Sequence, residues 1–253
     1  MTDRVRTTID DGVATVTLNR PDKLNALDPK LFAGLVDAGR RLARDRSVRA
    51  VVLQGAGEAF SAGLDVKAVA RNGPEMAARL FLKPWWTRDN LAQRVSLVWR
   101  DLPVPVVAAV HGHCYGGGLQ IALGADFRFV APDVRMSVME IKLGIIPDMG
   151  ISVSLRELVR ADIAKDLAMT GRIVNGEEAV QLGLATWVAD DPHAAAATYA
   201  AELAAKPSPA IRGIKRLFRD TWATSPDEGL RTERAIQMRV LARRLFDSAT
   251  GRK

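Results

Sequence analysis

His111-Gly112-His113-Cys114-Tyr115-Gly116-Gly117-Gly118-Leu119-Gln120 follows a β-like apolar run, Val106 to Val110. An earlier stretch, Ala59-Phe60-Ser61-Ala62-Gly63-Leu64-Asp65, stands in the same relation to Ala50 to Leu53. Each is a glycine-bearing turn after a strand and can present bare backbone N–H groups; two such groups aimed at one point make an oxyanion hole. Glycine costs about 1 kcal/mol in a helix relative to alanine. Three together at the head of the apolar Leu119 to Leu123 stretch therefore need a reason, and close approach of backbone to a ligand supplies one. Nucleotide readings fail on spacing: no Gly-Lys-Ser/Thr follows, and Ile121 stands where the third glycine of a dinucleotide fingerprint belongs. Ser61 lacks the first glycine of a Gly-x-Ser-x-Gly elbow.

On the N-terminal side, Val5 to Ile9 and Val13 to Leu18 flank Asp11-Gly12, a strong hairpin signal. Asp28-Pro29 predicts a helix through Leu31, Leu35 and Leu42, with Asp28 as N-cap and Pro29 in the first position. Ala50 to Leu53 and Val106 to Val110 read as strands apolar on both faces, as in a sheet covered by helices. This alternation argues an α/β fold. Residues 68–101 carry Pro84-Trp85-Trp86 and Trp99 and read as a helix pair with buried or subunit-contact tryptophans, or as a wall of the ligand pocket. From Ala161 the pattern is helical: Ile163 to Met169, Gly176 to Leu182, Ala194 to Ala205, Pro209 to Trp222, and Asp227 to Phe246.

The 253 residues, 48% hydrophobic, suffice for one large α/β domain with a helical appendix, taken as 1–190 and 191–253. The single Cys114 excludes an intrachain disulfide. Met1-Thr2-Asp3-Arg4 begins no apolar leader, and no run has membrane length, so a soluble, cytoplasmic protein without a membrane partner is expected. A net charge of +7 favours an anionic partner. Lys and Arg are scattered along helical segments, where a solvated face is the ordinary explanation, and 6% aromatic content weakens a base-stacking surface; nucleic acid is not expected.

Four motifs in order, Leu18-Asn19-Arg20-Pro21-Asp22-Lys23-Leu24-Asn25-Ala26-Leu27, Phe60 to Lys67, Val107 to Asp126, and Met139 to Gly150, closely resemble the crotonase superfamily, the enoyl-CoA hydratase/isomerase family. The resemblance implies a core of repeated ββα turns forming a spiral, with a C-terminal helical region that builds a homotrimer or a dimer of trimers. It also implies acyl-CoA thioester substrates. Their enolate oxygen would be held by two backbone N–H groups, which map onto Ala62 and Gly117. Coenzyme A would enter as part of the substrate, gripped by Asn25, Ala26, Gly63, Leu64, Asp65 and Lys67, with no separate cofactor and no metal. His111, His113 and Cys114 are too close in sequence at a strand end to form a tetrahedral set. The family's usual C-terminal Lys-Arg-x-Pro-x-Phe segment is missing where the chain ends in Thr250-Gly251-Arg252-Lys253, so phosphate contacts are expected from elsewhere.

Family hydratases place one glutamate three residues after the oxyanion glycine and a second about twenty residues on. Here the first is Gln120 and the second is Glu140. A glutamine amide can orient a water but cannot exchange its proton, and losing a general acid or base costs about 10²–10⁴-fold. Ile141, Leu143, Ile145 and Ile146 surround Glu140 in sequence and would raise its pKa. Asp148 stands where most relatives carry glycine; dienoyl-CoA isomerases of the family carry aspartate at this spacing. It could return a proton at a different carbon, or cap a helix starting near Gly150. The resulting expectation is an acyl-CoA isomerase with Glu140 as base. Alternatives are an enoyl-CoA hydratase tolerating Gln120, a thioesterase or decarboxylase sharing the hole, and, from another class, a weakly catalytic CoA- or RNA-binding protein.

Overall fold

The computed structural model describes residues 3–249 except Asn72 and Pro84; of residues 74, 76, 77 and 247–249 only the backbone is described. The readings of Met1-Thr2, Pro84 and the chain end 250–253 lie outside the described residues.

Strands β1 (Val5–Asp10) and β2 (Val13–Leu18) pair antiparallel around Asp11 and Gly12, whose φ of 42° and 78° make the two-residue turn that suits strand twist. Ala14, Val16 and Leu18 of β2 are fully buried. Helix α1 (Pro29–Arg44) starts where expected: the Asp28 carboxylate accepts the Leu31 N–H at 2.8 Å, and Leu31, Phe32, Leu35 and Leu42 face inward. β3 (Ala50–Gly55) pairs parallel with β2.

Three helices follow where a pair was expected: α2 (Val66–Arg71), α3 (Gly73–Phe81) and α4 (Leu91–Asp101). Trp99 of α4 is fully buried in the core, whereas Trp85 and Trp86 are exposed.

Then come β4 (Val106–Val110), β5 (His113–Tyr115), α5 (Gly117–Leu123), β6 (Phe127–Val130), β7 (Arg135–Ser137), α6 (Ile151–Ser154), α7 (Ala161–Thr170), α8 (Gly176–Leu182) and β8 (Trp187–Val188). The chain closes with α9 (Pro192–Ala204), α10 (Ser208–Thr221) and α11 (Pro226–Ala249).

The main sheet runs β1-β2-β3-β4-β6-β8, parallel from β2 onward. Beside it stands a second column of pairings: Leu27 with Leu64, Ser61 with Cys114, β5 with β7, and Met136 with Val174. Successive turns of chain thus add a strand to the sheet and a rung to this column, which is the ββα spiral. One face of the sheet, with Val51, Leu53, Ala108 and Val110, joins the large core under α1 and α4. The other face, with Ala50, Val52, Val107 and Ala109, packs on Ala196, Ala200 and Ala204, four residues apart on one stripe of α9. A boundary at 190/191 therefore falls ahead of a helix that belongs to the packed body. Among the described residues no helix is long and apolar enough to cross a membrane.

Candidate active site

The loop after β3 and the loop after β4 meet back to back. Gly63 has φ 86°, and a Cβ there would lie 2.7 Å from the Tyr115 carbonyl oxygen and 3.7 Å from the Gly117 nitrogen. Gly116 holds φ 50°, ψ −120°, a conformation left to glycine. Gly117 opens α5, so its N–H has no intrahelical acceptor.

The Ala62 N–H donates to the Leu24 carbonyl at 2.8 Å, so the expectation that it faces a ligand is corrected. Two residues on, the Leu64 N–H meets no acceptor among the described residues, and neither does that of Gly117. The bridge to Leu27 explains the difference: it engages the Gly63 carbonyl and the Asp65 N–H, leaving the intervening Leu64 N–H unused. Leu64 and Gly117 stand on facing loops, a Cβ on the intervening Gly63 lying 3.7 Å from the Gly117 nitrogen.

Asn25 is fully buried. Its Oδ1 accepts the Arg20 N–H at 2.8 Å, and its Nδ2 donates to the carbonyls of Ala56 and Ala59 at 2.8 and 2.7 Å. It staples two loops together, which corrects its expected role as a ligand contact. Asp65 accepts the Ala68 N–H at the start of α2 and pairs with Arg20 Nη1 at 2.8 Å; these contacts, the Ala68 N–H foremost, hold its carboxyl below the usual range. Arg20, which the sequence reading passed over, also donates to the Ala26 carbonyl at 2.9 Å and lies 3.6 Å from Asp28. Ala26, Gly63 and Leu64 line this junction, and Lys67 is exposed on α2. Ser61 is fully buried, its hydroxyl donating to the Asn25 carbonyl at 2.8 Å.

Glu140 begins a short 3-10 turn and its carboxyl lies over Gly116, whose Cβ would stand 3.3 Å from Oε1. Gln120 Nε2 donates to Glu140 Oε1 at 2.6 Å, and Gln120 Oε1 accepts the Met149 N–H at 2.8 Å. The backbone N–H of Met149 can only donate, so it fixes which way the amide points and turns its NH₂ toward Glu140. Gln120 thus engages Glu140 itself, through an amide 1% exposed. Glu140 Oε2 is buried with no protein hydrogen-bond partner. Burial pushes the Glu140 pKa up, the negative charge of Asp148 adds to this, and the Gln120 hydrogen bond opposes it.

The sequence neighbours are not the cause, because Ile141, Leu143, Ile145 and Ile146 all point outward, 46–77% exposed. Asp148 is half-buried, and burial raises its pKa too. It caps no helix: Gly150 occupies the N-cap of α6, with no side-chain bond.

His111 and His193 form a hydrogen-bonded pair at 3.1 Å, with His111 Nε2 on the Gly57 carbonyl and His193 Nδ1 on Gln54 Oε1. His113 meets the Tyr115 hydroxyl at 3.0 Å, and burial pushes the Cys114 thiol up. Among the described residues no three His, Cys, Asp or Glu side chains are placed to hold a metal ion.

A profile of the enoyl-CoA hydratase/isomerase family matches residues 8–248, nearly the whole chain. The chain belongs to this family. The mitochondrial Delta(3,5)-Delta(2,4)-dienoyl-CoA isomerase of Homo sapiens is 34% identical over 214 residues, 80% of this chain and 64% of that protein. The chain therefore spans under two thirds of that isomerase's length. Carnitinyl-CoA dehydratase of Salmonella arizonae is 33% identical, covering 94% of this chain and 89% of that one. The crystal structure of enoyl-CoA hydratase from Thermoplasma volcanium GSS1 superposes with a TM-score of 0.85 at 28% identity, covering 95% and 93%. The spiral of this chain is thus the crotonase fold, with Glu140 over Gly116 and Gln120 bonded to it.

Proposed function

We propose that this protein isomerises a double bond in an acyl-CoA thioester, with Glu140 as the base. The observation that carries the reading is the Glu140 carboxyl: Oε1 is held by Gln120, Oε2 is buried without a protein partner, and both lie over Gly116, next in sequence to the unused N–H of Gly117. Oε2 takes the proton at C2 of a 3-enoyl or 3,5-dienoyl thioester. The C–H electrons move into the enolate, and its oxygen is met by the N–H groups of Leu64 and Gly117. Reprotonation at C4 or C6, from Glu140 or from Asp148, completes the shift. Removing one donor from a comparable oxyanion hole costs about 10²–10³-fold. Coenzyme A arrives with the substrate; Ala26, Gly63, Leu64 and Lys67 border its path, while Asn25 and Asp65 shape the loops. No cofactor or metal is assigned. The working assembly is a homotrimer or dimer of trimers in the cytoplasm.

Hydration is disfavoured because Gln120 spends its amide on Glu140 and supplies no second carboxylate at that position. Turnover of 2-enoyl-, 3-enoyl- and 3,5-dienoyl-CoA by the wild type, Glu140→Gln and Asp148→Asn tests the reading. Isomerisation lost in Glu140→Gln is expected, and loss in Asp148→Asn marks the dienoyl reaction. Hydration at ordinary rates by the wild type, or silence on all three thioesters, refutes it in favour of a hydratase, another crotonase reaction or a binding role.

A further inference from the structure

After Asp65 the chain builds an apolar, cation-rich surface. Leu80 of α3 is buried and fixes that helix to the body, and Asn90 Nδ2 holds the Phe81 carbonyl at 3.1 Å. From this anchored end project Phe81, Leu82, Trp85 and Trp86, exposed by 46%, 72%, 88% and 70%, with the two indoles packed edge to face at 5.7 Å. Contiguous exposed apolar groups of this size mark an interaction surface. Over residues 66–83 the charged side chains are Lys67, Arg71, Arg79 and Lys83 against the single anion Glu75, all exposed.

We propose that this segment docks peripherally on a bilayer bearing anionic lipid headgroups. Tryptophan with flanking Lys and Arg is the composition that settles at a lipid interface: the indoles enter the headgroup level and the cations meet the negative surface. The excess of four cations over one anion argues against a second copy meeting the patch face to face, because each cation fringe would oppose its like. The expectation of no membrane partner rests on the lack of a spanning segment, and surface docking needs none. Because α2 follows directly on Gly63 to Asp65, docking would set the mouth of the loop junction at the bilayer surface, where long acyl chains partition. The proposal stands on the patch itself and does not depend on which reaction the site performs.

The test is co-sedimentation of the full chain with vesicles of phosphatidylcholine alone and of phosphatidylcholine with phosphatidylserine, at physiological salt. Wild type is compared with Trp85→Ala/Trp86→Ala and Arg79→Glu/Lys83→Glu, with oligomer mass measured by light scattering in parallel. Binding only to the serine-lipid vesicles, lost by more than about tenfold in both double variants at unchanged mass, is expected. Absence of wild-type binding, or binding that both variants retain, overturns the proposal. A fall in oligomer mass in the tryptophan variant without lipid binding in the wild type assigns the patch to a second copy and overturns it equally.

Discussion

Replacing Gln120 by methionine keeps most of the buried volume and removes one specific contact, the N–H donated to Glu140 Oε1 at 2.6 Å. That bond favours the ionised carboxylate. Glu140 already holds its proton above the usual range because of burial and Asp148, and losing Gln120 removes an opposing influence. A hydrogen bond to a charged group is worth about 1.5–3 kcal/mol. Removing it therefore lifts the Glu140 pKa further in the direction that burial already pushes it. Because the base acts only when ionised, the acid limb of kcat/KM against pH for 3-enoyl-CoA isomerisation moves to higher pH. The Met149 N–H also loses its acceptor, a cost of about 1–3 kcal/mol in stability, so the profile is measured below the variant's Tm. An acid limb that stays in place or moves to lower pH would refute the claim that Gln120 supports an ionised Glu140.

Gly63→Ala strains a backbone at φ 86° and sets a Cβ 2.7 Å from the Tyr115 carbonyl, prising the Leu64 N–H away from Gly117. A folded protein with kcat reduced by about 10²–10³-fold is expected from steady-state kinetics. Glu140→Gln is expected to stabilise the fold near neutrality. With its folded pKa raised, Glu140 contributes most at acid pH, below the unfolded value, and that contribution is lost as pH rises through the raised folded value. Thermal melts across pH therefore show a Tm advantage for the variant that is absent in acid and grows toward neutral pH.

Local chemistry made the framework readable. Asp11-Gly12 specifies its turn and Asp28-Pro29 its helix start, because each acts within a few residues. Which N–H groups remain unused is decided by long-range pairing. The Leu24 carbonyl meets Ala62, and Leu27 engages Gly63 and Asp65, so the available donor is Leu64, two residues from where the motif suggested. The role of Asn25 is hidden for a related reason. Positive φ at Leu24 and Asn25, 49° and 54°, turns its amide inward onto three backbone groups, and no local pattern announces that. The sequence neighbours of Glu140 point to solvent, while the groups nearest its carboxyl come from the glycine loop and α5, which local sequence does not announce. His193, 82 residues from His111, carried no signal at all.

The central claim is that Glu140 removes the proton next to the thioester carbonyl. Exchange of the C2 protons of a saturated acyl-CoA into D₂O, followed by NMR, reads that step without requiring a completed isomerisation. The account predicts exchange by the wild type and its loss by at least about 10²-fold in Glu140→Gln, with acyl-CoA binding retained. Exchange at the wild-type rate in Glu140→Gln would contradict it.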